Sequence, residues 1–164
     1  IMIRYAEKLQ VVPLLAPQAS TTADIETAHM KIKNAQWISF LCVWSSLTSD
    51  STDVVNVMVY TSTDASTTNA IAQPFKYRLS SAVATDSWGT ITAATAASGY
   101  DITGTDDNKL LLIDVDPATL LSLDSDAIYA HLLIDGSGAV TNPMFGVIGF
   151  LEPRYPQNAN LTSS

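Results

Sequence analysis

Residues 111–135, LLIDVDPATLLSLDSDAIYAHLLID, hold five aspartates, four of them in two D-x-D pairs, Asp114 with Asp116 and Asp124 with Asp126. Carboxylates so close together suit either a bound cation or acid–base catalysis. A calcium loop of the helix–loop–helix type takes oxygen ligands at positions 1, 3 and 5, a glycine at 6 and a glutamate at 12. Neither pair is followed by that glycine or glutamate. A looser calcium cluster would have to join Asp124 and Asp126 to Asp106 and Asp107 from a neighbouring loop. For softer metals the available ligands are Cys42, His29 and His131, which lack ligand spacing. No metal and no cofactor is therefore expected. Each aspartate also has a local use, because a carboxylate at a turn accepts hydrogen bonds from backbone amides that have no other partner.

Nucleophilic catalysis needs a base beside a hydroxyl or thiol. The glycine-flanked Ser137, in DGSGAV, lies between two strand-like runs without the strand-to-helix elbow that exposes a hydrolase serine, and is expected to be a hairpin turn. His131, in YAHLLID, shares one face of a strand with Tyr129 and Leu133 and is expected to be a surface or hydrogen-bonded histidine. The glutamates are Glu7, Glu26 and Glu152, and nothing in their placement pairs two carboxyls across a scissile bond. Phosphate loops, dinucleotide fingerprints and C-x-x-C pairs are all missing from the sequence. These residues predict a protein that is not an enzyme.

Sugar binding by stacked aromatics is the competing chemistry, in a carbohydrate-binding or fibre-type module. Trp37 and Trp44 are an odd number of residues apart in one candidate strand, so they point to opposite faces and form no shared platform. Trp88, Tyr60 and Tyr77 remain as candidates, with core packing as their other use.

The elements that would carry these residues are strands. Period-two alternation runs through 28–33, 55–60 and 75–80, and QWISFLCVWSS at 36–46 is apolar at nearly every position, as in a central strand covered on both faces. Further strands are expected at 109–115, 126–135 and 145–152, with short ones near 88–92 and 100–102 inside a looser Ala, Ser and Thr stretch. PATLL after Asp116 suits one helical turn, with Asp116 as N-cap and Pro117 as first helical residue. The fold class is all-β, an antiparallel β-sandwich or jelly roll with an extended N-terminal arm.

Composition agrees. Of 164 residues, 15% are charged and 35 are serine or threonine, which suits sheets with hydroxyl-rich loops better than a helical bundle. The net charge is −8, and residues 81–164 carry only Lys109 and Arg154 against ten acidic side chains. That sign opposes direct nucleic-acid binding, which requires cations to displace phosphate counterions. The single cysteine, Cys42, lies in an apolar run and is expected to be buried and inert. No stretch approaches the roughly 20 apolar residues of a membrane span, and no membrane partner is expected. IMIRYAEKLQ is broken by charge before any apolar run and does not resemble a signal peptide.

The organisation expected is an arm at 1–25, a sandwich at 26–155 and a polar tail at 156–164. The arm is apolar at Ile3, Tyr5, Leu9, Val11, Val12, Leu14 and Leu15, the candidate partner interface. Either it supplies a first strand to its own sheet or it lies along a neighbouring subunit.

The succession ADIETAHMKIKNAQWISFLCVW, VVNVMVYTSTD, KLLLIDVDPATLL, YAHLLID and a close in LEPRY resembles small head-associated structural proteins of tailed bacteriophages. The resemblance covers about residues 26–155. It implies a decoration or cement protein on the outer surface of the virion head, made in the host cytoplasm. Its partners would be the major capsid protein and copies of itself, commonly as a homotrimer. No individual site residue carries over, because such proteins act through whole surfaces.

Overall fold

The computed structural model describes residues 8–19, 24–33, 35–47, 54–66, 69–81, 85–138 and 143–154. Its elements are β1 (Gln10–Ala19), β2 (Ile25–Glu26), β3 (Met30–Lys31), β4 (Ala35–Trp44), β5 (Val54–Ser62), β6 (Ile71–Gln73), β7 (Phe75–Leu79), β8 (Thr92–Ala94) and β9 (Tyr100–Thr103). A 3-10 turn at Gly104–Asp106 follows, then β10 (Leu110–Val115), the helix α1 (Pro117–Leu123), β11 (Tyr129–Gly138) and β12 (Met144–Pro153).

All pairings are antiparallel, in two sheets. One runs β1-β12-β4-β10-β7-β8; the other runs β2-β11-β5-β6, with β3 also on β11 and β9 also on β5. β2 and β3 are two pieces of one edge position beside β11, and β6 and β9 are two pieces of the position on the far side of β5. Setting aside the β7–β8 excursion, the orders become first-eighth-third-sixth and second-seventh-fourth-fifth. That order is the jelly roll, the all-β arrangement in which two sheets share one interior.

Alternation dictates which side chains fill that interior. β4 sends Ile38, Phe40, Cys42 and Trp44 inward, β10 sends Leu111, Ile113 and Val115, and β12 sends Phe145, Val147 and Leu151, all buried. Facing them are Val55, Val57 and Val59 of β5 and Ala130, Leu132 and Ile134 of β11. Trp44 stacks on Phe145, with centroids 6.0 Å apart.

Three expectations are corrected here. β4 is central in its sheet but not covered on both faces: Trp37 and Val43 remain 42% and 40% exposed. A jelly roll has only two layers, so even its central strands keep an outer face. Ser137 does not mark a hairpin turn, since β11 continues through Gly138, past a register shift between Asp135 and Gly138. His131 does share the outward side of β11 with Tyr129 and Leu133, but it is 1% exposed and its Nδ1 has no hydrogen-bond partner among the described residues.

Part of the N-terminal segment is a strand of the sandwich itself. Gln10–Ala19 forms β1 on β12, with register shifts between Pro13 and Leu15 and between Leu15 and Gln18. An edge strand tolerates Pro13 and Pro17, since an outer row of unpaired groups costs nothing to lose. The Leu14 carbonyl accepts from Ala28 N at 2.9 Å, tying β1 to the β2–β3 connection.

Candidate functional site

Asp116, Asp124, Asp106 and Asp107 sit at element ends, each with its own donors. Asp116 caps α1, accepting from Ala118 N and Thr119 Oγ1 at 2.9 Å each. Asp124 closes the same helix and accepts from Thr61 Oγ1 at 2.7 Å. Asp106 accepts from Tyr100 Oη, Thr103 N and Lys109 Nζ, all at 3.2 Å. Asp107 accepts from Leu47 N and Ser46 Oγ at 2.6 Å. Burial and then Asp106 push the Tyr100 hydroxyl well above its ordinary pKa. Among the described residues no three His, Cys, Asp or Glu side chains come together as a metal site.

The groups with nucleophilic or basic potential are enclosed. Cys42 is fully buried and its thiol is pushed up to about 12 by burial. Burial first, and then the neighbouring His29, holds His131 down at about 4.

Asp114 is placed differently. It points outward from the middle of β10, opposite Ser39 of β4 and Lys76 of β7. Its Oδ1 accepts from Ser39 Oγ at 2.6 Å and from Trp37 Nε1 in a longer bond of 3.4 Å. A cavity lies on each side of this Trp37–Asp114 pair. One, of about 310 Å³, runs under α1 to Phe75 and Lys76; the other, of about 290 Å³, reaches Arg78, Phe150 and Glu152.

Beyond the second cavity the outer face of the β1 sheet turns apolar. In register across it stand Pro13, Ile148, Leu41 and Leu112 in one row and Gly146, Val43 and Leu110 in the next. Val11 is 54% exposed, Met144 45% and Ile148 37%. At strand spacings of ~4.8 Å and a rise of ~3.3 Å per residue, this half of the face spans about 400 Å². Patches of a few hundred Å² are the scale at which exposed apolar surface marks an interaction site.

The candidate interface residues of the N-terminal segment fall on both sides of β1. Leu14 is buried in the core at 4% exposure, while Val12 and Leu15 are half-buried and pack against it. Val11 stands on the outer face opposite Phe150, and Leu9 lines the cavity beside Glu152. Ile3 and Tyr5 lie outside the described residues. The apolar half of the outer face, carried by Val43, Met144 and Ile148, was missed in the sequence; its signal was the unbroken hydrophobicity of 36–46, taken for two-sided burial.

Trp88, one of the aromatics considered for sugar stacking, is half-buried and packs under the Arg78 guanidinium, 5.3 Å from its ring centroid. The exposed tryptophan is Trp37. Among the described residues no helix is long and apolar enough to cross a membrane.

No family model matches the chain, and no curated protein matches it. Among solved structures, the infectious bursal disease virus Gt strain is similar at 13% identity and a TM-score of 0.22. That alignment covers 95% of this chain and 43% of the other, so the chain spans less than half the length of its match.

Proposed function

We propose that the chain is a non-catalytic structural protein of a virion, attached as a decoration or cement protein to the shell of a tailed-phage head. The observation that carries this reading is the apolar half of the outer face, with Val11, Val43, Met144 and Ile148 exposed together. A surface of that kind is stable in water only at a cost that a partner relieves. The use of Asp106, Asp107, Asp116 and Asp124 in holding loops and helix ends, and the burial of Cys42, support a non-catalytic role. Jelly rolls serve both viral shells and lectins, so the fold class is compatible with the reading without selecting it.

In this reading the partner is the major capsid protein, and β1 lies at the rim of the contact. The net negative charge suits a place on the outer side of the shell, away from packaged nucleic acid, and the bound form is a homotrimer. The test adds purified protein to shells stripped of it and measures occupancy by sedimentation. Val43→Asp combined with Ile148→Lys is expected to leave the fold intact and remove binding. Undiminished occupancy by the double variant would refute the assigned face.

A further inference from the structure

We infer that the two cavities flanking Trp37 and Asp114 form one binding site for a neutral oligosaccharide of at least two sugar rings. The inference stands independently of the capsid reading. It rests on how the groups around Trp37 are held and on what they leave unused.

Trp37 is the tryptophan with an exposed indole, at 42%, whereas Trp44 is buried in the core and Trp88 is committed to Arg78. An aromatic face in a concave surface stacks on the C–H side of a pyranose ring, which presents apolar and polar edges at once. Both hydrogen bonds to Asp114 converge on Oδ1, and among the described residues none reaches Oδ2. Lys76, opposite Asp114 in register, forms no ion pair among the described residues. One acceptor and one donor are thus left beside the indole, the combination that vicinal hydroxyls satisfy, since each hydroxyl both donates and accepts.

Charge narrows the ligand class. The cavity under α1 is lined by Lys76, Asp114 and Asp116, one cation against two anions. The carboxylates disfavour a phosphate or acidic sugar, and the ammonium disfavours an organic cation. A neutral polyol meets neither penalty. Asp116 and Thr119 at the rim are fixed by the helix cap, so little ordering remains to oppose binding.

Size sets the length. Each cavity, at about 310 and 290 Å³, lies at the lower end of small-molecule sites, which run from about 300 to 1,000 Å³. Because both are lined by Trp37 and Asp114, a ligand crossing the pair occupies both. In the second cavity Arg78, seated on Trp88, is part of the lining, and its guanidinium supplies donors to the second ring.

The experiment is a glycan array probed with the labelled full chain, followed by titration of the best neutral glycan while tryptophan emission is recorded. Saturable binding is expected, with an emission change that Trp37→Ala abolishes. Affinity should fall at least about tenfold in both Trp37→Ala and Asp114→Asn, equivalent to about 1.4 kcal/mol. Melting temperatures are measured alongside; should Trp37→Ala fold poorly, Asp114→Asn and Lys76→Met decide the matter. Absence of binding to any neutral glycan, confinement to anionic glycans, or affinity unchanged in the folded variants would each overturn the inference.

Discussion

His29 and His131 lie with ring centroids 4.2 Å apart, and the second is sealed between His29 and Tyr60, whose ring is 5.9 Å away. Tyr129 meets His29 edge-on at 6.2 Å, and the carboxylates acting on the pair are Glu26 and Asp64, which favour charge on His29. Burial outweighs them there and lowers the His29 pKa. For His131 burial and His29 act together and hold it at about 4. In the unfolded chain the same imidazole protonates near pH 6.5. The unfolded state therefore binds the extra proton first. This contribution to stability is full above about pH 7, declines as pH falls from about 6.5 towards 4, and is flat below. By pH 5 it amounts to about 2 kcal/mol lost. Denaturant unfolding at pH 7.5 and pH 5 measures it, and His131→Phe is expected to lose much less over that interval. An equal loss in the variant would show that other groups set the acid limit.

Gly149 of β12 is the point where β1 seats on the core. A Cβ there would stand 2.6 Å from Met30 Sδ and 2.7 Å from Leu14 Cδ1, and both side chains are buried in the core with little room to give way. Gly149→Ala is expected to cost about 1–3 kcal/mol through overpacking. Gly146, whose added Cβ would meet nothing nearer than Pro17 Cγ at 3.4 Å, should tolerate the same change within about 0.5 kcal/mol. Urea unfolding of the two variants side by side checks the contrast.

The legibility of this fold follows from which signals are local. Val55, Val57 and Val59, or Leu111, Ile113 and Val115, bury one side of a strand in direct obedience to alternation, so those elements were visible in the sequence. The same holds for Asp116 and Pro117, whose capping geometry is written in two adjacent residues. β6 and β8, of three residues each, are too short to show a period, and they exist because β5 and β7 offer them an edge. The outer face was hidden for a different reason. Hydrophobicity along β4 records that both sides are apolar, but not that one of them lacks a covering layer. The meeting of Trp37 with Asp114, 77 residues apart, depends on the β4–β10 register, which no local pattern encodes.

Cys42 provides a probe of global opening. Its thiol faces the shared interior between Leu111 of β10 and Val147 of β12 and is pushed up to about 12, so little thiolate exists at neutral pH. An aromatic disulfide reagent at pH 8 is expected to label the native chain at least about a thousandfold more slowly than the urea-unfolded chain, because reaction waits on unfolding. Fast, stoichiometric labelling of the folded protein would place the thiol near solvent.

Asp106 and Asp126 separate the two uses a turn aspartate can have. Asp106 is 7% exposed and gathers Tyr100 Oη, Thr103 N and Lys109 Nζ onto one carboxylate, while the Asp106 carbonyl accepts from Trp44 Nε1 at 3.1 Å. Asp106→Ala leaves those donors without their acceptor in a partly enclosed loop and is expected to cost about 2–3 kcal/mol. Asp126 is exposed in the turn before β11, and Asp126→Ala should fall within about 0.5 kcal/mol of the parent. Thermal and urea unfolding distinguish these outcomes. Calcium in millimolar excess should leave both parent and Asp126→Ala midpoints where they were. A calcium-dependent rise in the parent that Asp126→Ala removes would mean that the carboxylates hold a cation and do more than cap backbone amides.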